Sequence, residues 1–91
     1  MKLGTSIKRI VSVDAERFRV RLEYTDRFRG EVDLGFLFGS PKGKPLVLEI
    51  LRGDLFGRCF VESGALAWPN GYELCPDALR QRIAQRKNQA A

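Results

Sequence analysis

The feature that most restricts this chain is a pair of alternating segments separated by a short polar break. In Arg17 to Tyr24, the residues Phe18, Val20, Leu22 and Tyr24 share one face, and Arg17, Arg19, Arg21 and Glu23 share the other. In Phe28 to Leu34, Phe28, Gly30, Val32 and Leu34 point one way and Arg29, Glu31 and Asp33 the other. A period of two marks half-buried strands. The alternation also fixes how the strands pair, because both apolar faces must lie on the same side of the sheet. A two-residue loop at Asp26-Arg27 would set Tyr24 across from Arg29 and Val20 across from Asp33, which mixes the faces. A three-residue loop, Thr25-Asp26-Arg27, pairs Tyr24 with Phe28, Val20 with Val32 and Phe18 with Leu34. On the outer face it sets Glu23 against Arg29, Arg21 against Glu31 and Arg19 against Asp33, and every pair has opposite signs. A five-residue loop would oppose Glu23 to Glu31. The three-residue loop is therefore expected, with Arg27 in the left-handed position that glycine normally takes, at a cost of about 1 kcal/mol.

This register bears on function. The chain carries a formal net charge of +5 and a pI near 9.7, which points to an acidic partner such as nucleic acid or an acidic protein surface. The candidate basic surface comprises Arg17, Arg19, Arg21 and Arg29 on the strands, Lys42 and Lys44 in a loop, and Arg80 and Arg82 on a helix that also carries Arg86 and Lys87. If the acids of the neighbouring strand answer the arginine row, the face is a solvated, cross-paired one. If the helix runs along it, the row becomes a phosphate-binding stripe.

The rest of the chain extends the sheet and then closes it. Thr5 to Val13 reads as a first strand, bulged near Arg9-Ile10. Leu34 to Phe38 is an apolar cluster followed by a glycine- and proline-rich basic loop up to Pro45. Leu46 to Leu51 is apolar throughout and fits either a buried strand or a helical turn. Arg52-Gly53-Asp54 breaks it, and Asp54 is placed to cap a turn through Leu55-Phe56. Arg58 to Glu62 and Ala65 to Trp68 form a second hairpin around Ser63-Gly64, with Val61 opposite Leu66 and Cys59 opposite Trp68. Trp68-Pro69-Asn70-Gly71 is a structural joint: Pro69 sets the first corner of a β-turn, and Asn70-Gly71 tolerates its far side. Pro76 fits the first position of a helix running to about Arg86, with Asp77 on the positive end of its dipole and Leu79 and Ile83 inward. Trp68, the sole tryptophan, is expected to be buried between the second hairpin and that helix. The fold class is α+β, a small antiparallel sheet with an N-terminal meander and a second hairpin, packed against a C-terminal helix.

Several function classes lose their footing. A chain of 91 residues, 44% of them hydrophobic, is read as one domain spanning 1–91, with frayed ends at about 1–4 and 87–91. No apolar run approaches the roughly 20 residues of a membrane span, and no apolar core follows Met1-Lys2-Leu3-Gly4, so no membrane association and a cytoplasmic location are expected. Histidine is absent, and Cys59 and Cys75 form no C-x-x-C pair. Neither a metal, another cofactor nor a catalytic group is therefore expected. Gly43-Lys44 lacks the spacing of a phosphate-binding loop, and no small-molecule ligand is inferred. The best acids for catalysis, Asp33 and Glu73, have plain readings as an outward strand residue and a linker to the helix. What is left is contact. Phe36, Leu37 and Phe38 either fold under the sheet as one helical turn or present a surface for a small protein partner or a second copy.

The order of these features resembles the bacterial Domain of Unknown Function family 2442. The similarity is carried by Val32-Asp33-Leu34, Leu51 through Phe56, Trp68-Pro69-Asn70-Gly71 and Pro76 to Leu79, and it spans nearly the whole chain. Arg27 stands where the family's hairpin glycine would be, and Gly53 lies within the segment leading to Phe56. The resemblance implies no catalytic activity. It implies a module whose gene often neighbours that of another small protein, in a toxin–antitoxin-like arrangement, and which in some members is fused to a helix-turn-helix domain.

Overall fold

The computed structural model describes residues 6–38, 43–52 and 54–89. Its architecture is α+β. Strands β1 (Ile7–Asp14), β2 (Arg19–Tyr24) and β3 (Arg29–Asp33) form one antiparallel sheet in the order β1-β2-β3. Two short helices, α1 (Gly35–Phe38) and α2 (Pro45–Arg52), and a 3₁₀ turn at Phe56–Arg58 lead to a second sheet, β4 (Phe60–Glu62), β5 (Ala65–Ala67) and β6 (Glu73–Leu74), and to the helix α3 (Pro76–Gln89). Residues 39–42, which include Lys42, and the expected frayed start at 1–4 lie outside the described residues.

The meander has the register that side-chain alternation demands. Val20 pairs with Val32, and on the other face Arg19 pairs with Asp33, Arg21 with Glu31 and Glu23 with Arg29. Arg27 holds the left-handed position at φ 74°. β1 joins the far side of β2 with Ile7, Ile10 and Val13 opposite Tyr24, Leu22 and Val20. Register irregularities fall between Ile7 and Arg9 and between Ile10 and Ser12, on either side of the expected bulge. β2 starts two residues later than the alternation suggests, because Phe18 adopts φ 56° and turns the chain. Its carbonyl still accepts from Leu34 N at 2.7 Å, and its ring packs beside Phe38 and Phe56. A left-handed phenylalanine is strained, and this packing is what holds it there.

The apolar Leu46 to Leu51 segment is helical. Pro45 opens α2, and Val47 and Ile50 are buried while Leu46 lies exposed, a spacing that only a helix sends to one side. Asp54 does not cap the next turn: Leu55 occupies the cap position without a side-chain bond, and Asp54 itself takes φ 57°. Because Phe56–Arg58 is a 3₁₀ turn, β4 begins at Phe60 and not at Arg58; Val61 still faces Leu66. The stretch read as a linker to the helix contains β6, whose Leu74 pairs with Leu66 and Glu73 with Ala67. α3 continues past the expected end at Arg86 to Gln89, so its backbone covers 87–89 as well.

One apolar cluster draws on both sheets and on all three helices. The sheets meet where Ile7 N donates to the Gly64 carbonyl at 2.9 Å. Trp68 is fully buried and donates through Nε1 to the Phe56 carbonyl at 3.1 Å. Its ring neighbours are Phe38, Phe56 and Tyr72, with centroids 5.5, 5.9 and 5.8 Å away, so it seals α1 and the 3₁₀ turn against the second sheet. The hydrogen bond that ties a buried aromatic to the C-terminal helix comes from Tyr24, whose hydroxyl donates to the Pro76 carbonyl at 2.7 Å. Pro69-Asn70-Gly71 forms a tight turn between β5 and β6, with Gly71 at φ 92°. The Asn70 amide clamps it to α2 through Leu46 O and Glu49 Oε1, both at 3.0 Å.

Candidate interaction surface

The open face of the meander alternates in charge. The register brings Arg9, Arg19, Arg21 and Arg29 onto it together with Asp14, Glu23, Glu31 and Asp33, so cations and acids balance. Glu23 is the keystone, 5% exposed and lying under Arg9 Nε at 2.6 Å and Arg29 at 3.4 Å. The hydrogen bond from Arg9 holds its carboxyl below the usual range, against the opposing pull of burial and with the charges of Arg29 and Arg9 helping. Arg19 Nη1 sits 3.9 Å from Glu31, and its buried Nε lies 3.6 Å from Asp33, too far for a hydrogen bond. Asp33 Oδ1 instead accepts from Gly35 N at 2.8 Å and starts α1, the structural role of that acid. Arg17 pairs with Asp14 at 3.3 Å. Among the described residues Arg21 and Lys44 carry no ion pair.

The helix side is built differently. Arg80 bonds both oxygens of Asp26, at 3.0 and 2.7 Å, while its guanidinium lies over Phe28 at 4.1 Å and Tyr24 at 5.2 Å. The Arg80 hydrogen bond, aided by the Phe28 N–H, pulls the Asp26 carboxyl down to about 2. Two residues on, one face of Arg82 is also covered by an aromatic ring: its guanidinium lies 3.4 Å from the centroid of Phe36.

Phe36, Leu37 and Phe38 do not form one contact patch. Phe36 is 43% exposed, Leu37 is half-buried and Phe38 is 1% exposed. α1 is a single turn hung from the Leu34 carbonyl, which accepts from both Leu37 and Phe38 at 3.0 Å, and a helical turn sends three successive side chains in three directions. Phe38 is the hub of the aromatic core, with Phe18, Phe56, Trp68 and Tyr72 around it at 5.0 to 6.4 Å. An aspartate at Phe38 would place a carboxylate in that core, so the surface candidate narrows to Phe36. Among the described residues, Val11, Leu46 and Phe60 are the other large apolar side chains left exposed.

Among the described residues no group of three or more acids and cysteines is placed to hold a metal ion. Burial pushes the Cys59 thiol up to about 11, and Cys75 is exposed and unpaired. Glu73 is an exposed residue of β6. Asp77, Arg80, Gln81 and Ala84 line an open depression of about 300 Å³ on α3. No helix among the described residues is long and apolar enough to cross a membrane. The stacking of Arg82 on Phe36 and the Asn70 clamp join residues far apart in sequence, and no local motif announces either. Neither a protein-family model, a curated protein nor a solved structure matches the chain.

Proposed function

We propose that this domain is a small, non-enzymatic protein-interaction module of the cytoplasm, the antitoxin-like partner of a small neighbouring protein. The observation that carries the contact role is Phe36, a phenylalanine held at the surface under an arginine while its neighbours Leu34 and Phe38 are fully buried. Phenylalanine and arginine are enriched at protein interfaces, and well-packed aromatic or arginine anchors dominate their energetics. The resemblance to Domain of Unknown Function family 2442 supports the antitoxin-like part of the reading. A photo-crosslinking phenylalanine analogue at position 36, in cells that also express the neighbouring gene, should yield one discrete protein adduct. The same analogue at position 58 should yield none. Adducts of equal yield at both positions would reject the reading.

Nucleic-acid binding is the second reading. It is favoured by Lys8, Arg21, Arg27, Lys44, Arg52 and Arg58, which carry no ion pair among the described residues. It ranks lower because the arginine row that first suggested it lies on a charge-balanced face. Tight binding to duplex nucleic acid that falls steeply with salt would put it first.

A further inference from the structure

We infer that Arg82 and Phe36 form a docking point for an aspartate or glutamate side chain on an acidic, apolar-flanked segment of a protein partner. The inference rests on the interaction-module reading and names the partner chemistry of the same surface. Its template lies two residues away on the same helix. Arg80 is flattened on Phe28, and its outward fork grips both oxygens of Asp26 at 3.0 and 2.7 Å. Arg82 repeats the first half of that arrangement, with its guanidinium stacked 3.4 Å from the Phe36 centroid, and among the described residues no carboxylate meets it. Stacking uses the faces of a guanidinium and leaves its in-plane N–H groups directed at solvent, where a carboxylate is gripped in the fork geometry. The α3 sequence favours an acid there, since its one acid, Asp77, stands against Arg80, Arg82, Arg86 and Lys87. The part of Phe36 left exposed offers apolar contact beside the charge, which suits a peptide better than a phosphate strand.

A short fluorescein-labelled peptide alternating Asp and Leu is the probe, titrated against the full chain by anisotropy and by amide chemical shifts. Saturable binding that moves the amides of 36 and 82 is expected. Arg82→Glu should weaken it by about tenfold or more, as loss of a charged hydrogen bond does. Arg82→Lys should also weaken it, because lysine keeps the charge but not the fork, and Arg58→Glu should leave it unchanged. Equal weakening by Arg82→Glu and Arg58→Glu, equal binding of a control peptide with Asn in place of each Asp, or no binding of the Asp-Leu peptide would overturn this site while leaving the interaction module standing. Displacement of the peptide by oligothymidylate, with the same amides shifting, would overturn both.

Discussion

Two hairpin turns in this molecule share one backbone plan, and they differ in how each is fastened to a helix. At the first, Tyr24 N donates to Phe28 O at 2.8 Å and Arg27 N to Tyr24 O at 3.0 Å; at the second, Trp68 N donates to Tyr72 O at 2.9 Å and Gly71 N to Trp68 O at 3.0 Å. In each, a side-chain oxygen in the loop accepts from the residue two places on, Asp26 from Phe28 N at 3.0 Å and Asn70 from Tyr72 N at 3.2 Å. Each is flanked by an aromatic pair with centroids 5.8 Å apart. Both leading aromatics are buried and donate to a carbonyl, Tyr24 to Pro76 and Trp68 to Phe56. The difference lies in charge. Asp26 reaches α3 through an ion pair with Arg80, whereas Asn70 reaches α2 through an amide that does not titrate. The left-handed corner is Arg27 in one and Gly71 in the other, at φ 74° and 92°. Local turn geometry is thus reachable from either residue set, and the choice of Asx residue decides whether the fastening responds to pH.

The largest test of the parallel is at the leading aromatics. Trp68→Ala should destabilise the domain by about 3–5 kcal/mol in urea unfolding, since it empties a packed aromatic core. Tyr24→Phe, which removes one hydrogen bond and keeps the ring, should cost about 1 kcal/mol. A Trp68→Ala loss no larger than that of Tyr24→Phe would show that the Trp68 ring does not fill a packed core. Next come the left-handed corners, which should respond with opposite signs. Gly71→Ala should destabilise by about 1 kcal/mol, the penalty of a Cβ at positive φ, because nothing lies within 4 Å of where that Cβ would sit. Arg27→Gly should stabilise by up to about 1 kcal/mol, and destabilisation there would mean that the Arg27 side chain holds the turn. The smallest effect is a slope. Asp26 titrates at about 2 in the folded chain against an ordinary 3.8, so its contribution is present above pH 4 and is lost as pH falls towards 2. Asp26→Asn should therefore be less stable than wild type at neutral pH, and the gap between them should close across that window. Glu23, also depressed, titrates in both proteins and cancels from the difference. A gap that stays constant down to pH 2 would show that the Asp26 charge does not contribute.

The meander was legible in the sequence because two independent patterns agree on it. Apolar alternation forbids a two-residue loop, charge alternation forbids a five-residue one, and the observed pairs Glu23 with Arg29 and Arg19 with Asp33 follow. The second half was less legible. Six apolar residues cannot separate strand from helix, and it is docking that resolves Leu46 to Leu51 by burying Val47 and Ile50. β6 leaves no mark in the sequence because its two residues show no period and exist as a strand only by pairing with β5. The surface was least legible. Which of Phe36 and Phe38 is exposed depends on how one helical turn hangs from Leu34, and that Arg82 covers Phe36 depends on where α3 lies. Both are properties of the assembled fold.

The aromatic cluster around Phe38 has a kinetic consequence. Its rings arrive from the β1–β2 turn, α1, the 3₁₀ turn and both ends of the Pro69-Asn70-Gly71 turn, so no contiguous stretch of chain contains enough of it to bury. The meander is made of neighbouring strands and can zip from its own turns, whereas the cluster must wait for loops spanning most of the chain to close. Refolding should therefore be gated by the long-range closure. Trp68, the sole tryptophan and a member of that cluster, is a built-in optical reporter of when it happens.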